Sequence, residues 1–542
     1  MARSPLYKIL CEVFKKSWPL NEKKIARRDF VSGLLATSVV SFQPRLMRFS
    51  PKNLSRIKIP SENPLIILGA GVAGLTAAYR LSQAGIACEI YEGSERLGGR
   101  ILTFENFNKS GQFCEEGAEF IDSSHTHVIG LCKELGVALQ DLSHEKTKFE
   151  PLLFHIEGHY YTEAEVTEQF QKVSKRLFSD FEKLGIDNRQ TFVTYKNKTA
   201  AAIELDQLTL EQYLFSLKDE VEAWVLKAVE IAYVGEFGLD ACEQSALNLI
   251  TLIEPTEADS FDVFGNSDES MRISGGSSQL VEALYRKIQH TVPVHFNHRL
   301  VAVKDDSLRF EMNFERRLES SFMLKATRVL CTLPFTSLRN VSGLEGLGFS
   351  AVKQKAIREM GYGTHSKLIA GFKTRVWRKK TRTRVASLGS AISDTELQAV
   401  WETSRMQSGA SGILTSFPGG KTGLNLRFTD KLKVLNNLEK TFEGSLNEFD
   451  GNTHFANWSQ NSLFGGSYAC PRPGQYTTLL GSLSEDEING RFLFAGEHTS
   501  LANPGYVEGA VESANSSAAK IIRQKTSAVI SRRDILSARI QT

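Results

Sequence analysis

The sequence predicts an α/β chain of at least two domains, and three observations carry that reading. The chain has 542 residues, more than a single hydrophobic core ordinarily serves. Near its start the apolar run Pro64-Leu65-Ile66-Ile67-Leu68 leads through a glycine turn and an apolar helix to a second short apolar run, which is a βαβ unit. Beyond it, helical and strand-like patterns follow one another without an internal repeat. The composition is that of a globular protein, 41% hydrophobic and 23% charged, with 41 glycines and 14 prolines.

Residues 1–60 are basic and punctuated by proline. Lys23, Lys24, Arg27 and Arg28 precede an apolar run over 31–42, and Arg27-Arg28-Asp29-Phe30-Val31 reads as a twin-arginine export signal, hence a periplasmic or exported protein. A short basic helix docked on the body, or padding on a cytoplasmic protein, is the alternative. No stretch reaches the roughly 18 apolar residues that a membrane span requires. The first strand falls at 64–68. A helix follows with Leu75, Ala78 and Leu81 on its apolar face, ending near Gly85, then a strand at 87–91. Residues 160–250 carry helical patterns, and strands are expected at 292–303, 310–314, 329–333 and 368–372. The last helix follows Pro504-Gly505, with Val507, Ala510, Val511, Ala514 and Ala518 spaced by three and four. The polar tail from Lys525 is expected to fray.

Several function classes drop out. A net charge of +3 without a basic and aromatic stripe argues against nucleic acid. The seven cysteines are scattered and form no C-x-x-C pair, so neither a zinc site nor a disulfide framework is indicated. His125 and His127 stand two apart without further ligands, and no metal is expected.

Gly69-Ala70-Gly71-Val72-Ala73-Gly74 is a G-x-G-x-x-G turn between predicted strand and helix. The first glycine permits the tight turn, the second lets a phosphate approach the backbone, and the third lets helix and strand pack closely. The helix start offers free N–H groups and a partial positive charge to a pyrophosphate. Glu92 ends the second strand, 92 − 74 = 18 positions on, where a carboxylate accepts ribose hydroxyls. A Rossmann-like dinucleotide site follows.

Arg96-Leu97-Gly98-Gly99-Arg100 stands directly after Glu92, and here the sequence resembles the flavin amine oxidase family, which implies FAD rather than NAD. The resemblance runs from about 65 to 522. It covers Glu116-Gly117-Ala118-Glu119-Phe120 as a flavin-lining loop and Ser274-Gly275-Gly276 with Leu280 as a return to the FAD domain. It also covers Val329-Leu330-Cys331-Thr332-Leu333-Pro334, Phe494-Ala495-Gly496-Glu497-His498-Thr499 and Gly505-Tyr506-Val507-Glu508-Gly509-Ala510. The FAD residues it implies are Gly69, Gly71, Ala73, Gly74, Glu92, Gly99, Arg100, Gly117, Ala118, Leu300, Trp458, Gly496, Glu497 and Val507. The implied organisation is interleaved: an FAD-binding domain from 61–140, 271–335 and 485–524, an α+β substrate-binding domain from 141–270 and 336–484, and a tail at 525–542.

The resemblance also implies an amine cage of Tyr468 and Tyr506, whose ring faces hold the substrate. It makes Lys367, in Ser366-Lys367-Leu368-Ile369-Ala370-Gly371-Phe372, the lysine that holds a water at the flavin. Periodicity by itself leaves Lys367 opposite the apolar face, as an exposed lysine. Ser467 stands where some members carry a covalently attached cysteine, so the FAD is expected to be non-covalent. Amino acid oxidases of the superfamily usually place a carboxylate-gripping arginine in the loop matched by Glu119-Phe120. Glu119 would repel that carboxylate and suit the second charge of a diamine, or else bond to nearby backbone or an arginine.

The implied activity is oxidation of an amine to an imine, then an aldehyde, with oxygen reduced to hydrogen peroxide. An L-amino acid oxidase on the same fold, a carotenoid-type desaturase and a flavin-binding protein without turnover are the alternatives. The expected partners are a small amine and oxygen, and a homodimer is left open.

Overall fold

The computed structural model describes residues 64–143, 149–161, 163–186, 192–253, 269–316, 319–382 and 384–540. The export signal expected at 27–31 lies outside them. In chain order, the elements that frame the site are β1 (Leu65–Leu68), α1 (Val72–Gln83), β2 (Cys88–Tyr91), α2 (Ala223–Phe237), β3 (Ser366–Phe372) and α3 (Val507–Ile540).

β1 is four apolar residues, all buried, as the centre of a parallel sheet requires. The sheet runs Phe492–Phe494, Val329–Cys331, β1, β2, Val294–His295, every pair parallel. α1, α3 and Ser278–Ile288 pack over one face, burying Leu75, Ala78, Leu81, Leu284, Val511 and Ala514 in one core. On the other face Ile66, Leu68 and Tyr91 meet Phe310, Met312 and Phe314 of a three-stranded antiparallel sheet. This is the Rossmann-like half of the α/β fold.

A seven-stranded sheet forms the second half, in the order Phe449–Asn457, β3, Gly412–Ser416, Gln398–Glu402, Ala391–Ser393, Leu153–Ile156, His159–Tyr161. Side chains alternate across its faces. Leu368, Ala370 and Phe372 of β3 join Val400 and Leu414 in a core capped by Leu435 and Leu438. Lys367 and Ile369 point the opposite way, level with Thr415 and Trp401 across the ladder. That side faces the 113–120 segment and α2.

Three expectations change. The strand expected at 292–303 is two strands of different sheets, Val294–His295 and His298–Asp305. Asn297 between them takes a left-handed φ of 59°, which breaks the pleat. The tail from Lys525 continues α3 to Ile540 instead of fraying. No glycine or proline follows Gly509, so nothing in the sequence stops the helix. Lys367 is not exposed: every residue of β3 is buried.

Candidate active site

The glycine turn does what its spacing asks. Gly69 has φ 101°, and a Cβ on Gly74 would stand 2.0 Å from Gly69 O, so the third glycine is what lets α1 lie against β1. A Cβ on Gly71 would meet nothing within 4 Å. Open space therefore lies before the amino end of α1, where no side chain caps the N–H groups.

That space belongs to a long cleft. Gly69, Gly71, Ala73, Glu92, Gly99 and Arg100 line it, with Ala118 and Leu300 along its length, and so do Gly496, Glu497, Val507, Tyr468 and Tyr506. Glu92 accepts from Ala70 N at 2.7 Å and Ser94 N at 2.8 Å, so its carboxylate is already oriented by the turn. Arg100 is not presented alone: Nη1 donates to Ser467 O and to Glu497 Oε1, the latter at 3.0 Å. Burial by itself would raise the Glu497 carboxyl. Arg100, His498 and the Gly505 N–H outweigh it and hold that group below the usual carboxylate range.

Gly117 and Trp458, also expected at the cofactor, pack on the segments that frame the cleft. A Cβ on Gly117 would stand 1.8 Å from Arg100 O, so this glycine serves a close approach between two backbone segments. Trp458 donates from Nε1 to Glu116 O at 2.9 Å and carries Arg96 over its ring at 5.8 Å. It supports the 116–117 segment.

Tyr468 and Tyr506 are both buried and both on the cleft, flanking Gly505. A Cβ on Gly505, whose φ is 85°, would lie 3.3 Å from Tyr468 Cδ2, so glycine here leaves room for the tyrosine ring. Tyr506 packs edge-on to His125 at 4.7 Å.

Lys367 lies behind the 115–119 segment. Its ammonium donates to Glu115 O at 3.0 Å, Gly117 O at 2.9 Å and Glu119 Oε2 at 3.1 Å. Trp401 and Phe417 rings stand 5.3 and 5.7 Å from Nζ. Three protein acceptors thus stand within hydrogen-bond distance of the ammonium. Glu119 is correspondingly not the free carboxylate the sequence suggested. It faces a lysine, an outcome beyond the backbone or arginine partner considered, and the buried pair carries no net charge. Its Oε1 makes no hydrogen bond among the described residues. Burial raises the neighbouring Glu115 carboxyl to about 8, against hydrogen bonds from Ser277 N and Thr103 Oγ1.

A profile of the family described as Flavin containing amine oxidoreductase matches residues 72–522. The chain belongs to that family. It is 28% identical over 340 residues to the flavin-dependent L-tryptophan oxidase of Lentzea aerocolonigenes, covering 60% of this chain and 69% of that protein. It is 25% identical over 492 residues to an L-amino-acid oxidase of Siganus canaliculatus, 86% of each. Among solved structures, putrescine oxidase bound to putrescine superposes with a TM-score of 0.70 at 18% identity, over 85% of this chain and 99% of that one. Cyclohexylamine oxidase from Brevibacterium oxydans gives 0.71 at 19% identity, over 86% and 99%. At such identities the structures speak for the fold.

This flavin-containing amine oxidoreductase is thus an FAD-dependent amine oxidase. The cleft fits FAD on its own geometry, through the open space at Gly71, the oriented Glu92 and the closing helix start at Val507. Sequence reasoning missed the far end of the cleft, where Tyr91 stacks on Phe314 at 4.9 Å and His298 meets Tyr91 edge-on at 5.5 Å. It also missed Trp401, Phe417 and His365 around Lys367 and Tyr468. Only His365 left a signal, a polar residue just ahead of β3 and two positions before Lys367.

Proposed function

We propose that the chain oxidises an amine to an imine, with FAD held non-covalently and oxygen reduced to hydrogen peroxide. The observation that carries this reading is that Tyr468 and Tyr506 share one cleft with the Gly69-to-Gly74 turn. When bound, FAD supplies the acceptor for a hydride equivalent from the C–H beside the amine nitrogen and passes the electrons on to oxygen. The two tyrosine rings hold and orient the amine. Only about one in 10³ molecules of a primary amine is neutral at pH 7, given an ammonium pKa of ~10.4. Burial between the rings disfavours the cation and enlarges the reactive fraction. Lys367 acts by holding the carbonyls of the 115–119 segment, and so the Ala118 wall of the cleft, in place. Ser467 supports the non-covalent assignment, because its hydroxyl is buried against His365.

Glu119 gives no ground for preferring a diamine, since its charge is met by Lys367. For the same reason it gives no ground against an α-amino acid. That second reading draws support from the relatives that act on amino acids. The buried Arg272 spends Nε on Gln140, Nη1 on Thr403 O and Nη2 on Arg405 O, which argues against it as a carboxylate clamp. The test is anaerobic mixing of the yellow holoenzyme with benzylamine, cyclohexylamine, putrescine, L-tryptophan and L-lysine. Bleaching by an amine, with peroxide released in air, supports the proposal. Bleaching by amino acids alone replaces it with the second reading, and bleaching by none refutes both for this panel.

A further inference from the structure

The carboxyl end of α2 is closed by side chains of the site. The last carbonyls of a helix lack partners within it. Here Gly238, at φ 78°, returns its N–H to Val234 O. Gly235 O accepts from His365 Nε2 at 2.9 Å, Glu236 O accepts from Tyr468 Oη, and Gly238 O accepts from Thr364 N at 2.7 Å. A carbonyl can only accept, so the His365 proton is on Nε2. Nδ1 is then an acceptor, and Ser467 Oγ donates to it across 3.0 Å. Tyr468 donates its own hydroxyl to Glu236 O, and its oxygen stands 3.4 Å from His365 Nε2. Ser467 thus donates to His365, and His365 and Tyr468 each donate into the end of α2.

The imidazole occupies a slot shaped for a flat ring. It stacks on Phe417 at 4.1 Å and 2°. A Cβ on Gly238 would come within 2.4 Å of the ring, and one on Gly419 within 3.2 Å of Nε2. His365 is fully buried, and burial, with Lys367 adding to it, pushes its pKa down to about 3. The ring stays neutral, and the tautomer fixed by Gly235 O persists at working pH.

We propose that His365 is the positioning residue for Tyr468, fixing the tilt of that ring in the cleft and through it the affinity for the amine. The two rings lie 4.9 Å apart at 32°, with Gly505 closing the other side of Tyr468. Without His365, Tyr468 keeps its bond to Glu236 O but loses the ring it leans on and the tie that registers Ser467 against α2. The inference rests on reading Tyr468 as a wall of the amine site.

The test uses the flavin-loaded enzyme with His365→Phe, which keeps the ring and its stack, and His365→Gln, whose amide can still donate to Gly235 O. Tyr468→Phe and the double variant His365→Phe/Tyr468→Phe complete the set. Flavin content, thermal midpoint, visible circular dichroism of bound FAD, and KM against limiting reduction rate for the best amine of the panel are measured. His365→Phe is expected to keep its flavin, raise KM about tenfold, as loss of about one neutral hydrogen bond implies, and change the limiting rate far less. His365→Gln should recover most of KM, and the double variant should be no worse than the worse single one. An unchanged KM and flavin dichroism in His365→Phe overturns the proposal. So does a loss of KM and rate in step with thermal stability that adds to that of Tyr468→Phe. Should no substrate bleach the wild type, the functional reading has failed, and the dichroism still decides the point. Matching changes in His365→Phe and Tyr468→Phe support positioning, and an unaltered His365→Phe spectrum refutes it.

Discussion

Replacing Lys367 with methionine tests whether the buried pair with Glu119 holds the cleft wall. Both side chains are almost wholly inaccessible, at 2% and 1% of their surface, so solvent cannot take over the lost interaction. Removing one partner of a buried pair leaves an uncompensated charge and typically costs about 3–5 kcal/mol. The substitution also strips the Glu115 and Gly117 carbonyls of their donor, at about 1–3 kcal/mol where a buried group is left unmade. Adding Glu119→Gln removes the stranded charge but not the stranded carbonyls. Lys367→Met/Glu119→Gln should therefore be more stable than Lys367→Met alone by about 2–3 kcal/mol. Urea unfolding at fixed, saturating FAD measures this, because ligand binding otherwise shifts the apparent stability. Since Ala118 of the same segment lines the cleft, the affinity for FAD should follow the same order. Additivity of the two substitutions within about 0.5 kcal/mol would show that the pair is not coupled and would sink the account of Lys367 as the clamp of this segment.

Other outcomes follow from the same geometry. Acid precipitation should release the flavin into the supernatant, because Ser467 offers no thiol and its hydroxyl faces His365; flavin retained in the pellet contradicts this. Gly74→Ala should abolish FAD retention or folding, since its Cβ would sit 2.0 Å from Gly69 O; a yellow variant of normal stability would refute the close packing of α1 on β1. Glu115 carries a pH signature. Its carboxyl is raised from about 4.5 to about 8, so between those values the folded state holds a proton the unfolded state has lost, and stability falls as pH rises through that window. Glu115→Gln should flatten that fall in thermal scans from pH 5 to 8; a parallel curve would show that Glu115 is ionised when folded.

What the sequence made legible was whatever depends on local geometry. Gly69, Gly71 and Gly74 announce a phosphate turn because their spacing alone dictates the backbone, and the five apolar residues from Pro64 onward can hardly be anything but a buried strand. The cleft residues on that framework followed from the motifs. Lys367 shows where such reasoning stops. Alternation on β3 correctly put it opposite Leu368, Ala370 and Phe372, but whether that opposite face meets water or another segment is decided some 250 residues earlier in the chain, at Glu115 to Glu119. Glu119 was misjudged for the same reason, its partner being remote in sequence. The closure of α2 by His365 and Tyr468 joins three distant segments, and no periodicity in any of them reports it.

The order of strands in the parallel sheet bears on how the protein is made. Its edge strand, Phe492–Phe494, and the helix start at Val507 that closes the cleft are made more than 400 residues after the glycine turn. The outer edge of Val329–Cys331 therefore stays unpaired through the synthesis of the 160 residues that separate it from Phe492. The cofactor cannot be enclosed before the segment from Val507 has been made. Flavin supply once that segment has emerged, and chaperones that shield the waiting edge, should govern the yield of active enzyme more than the rate of translation does.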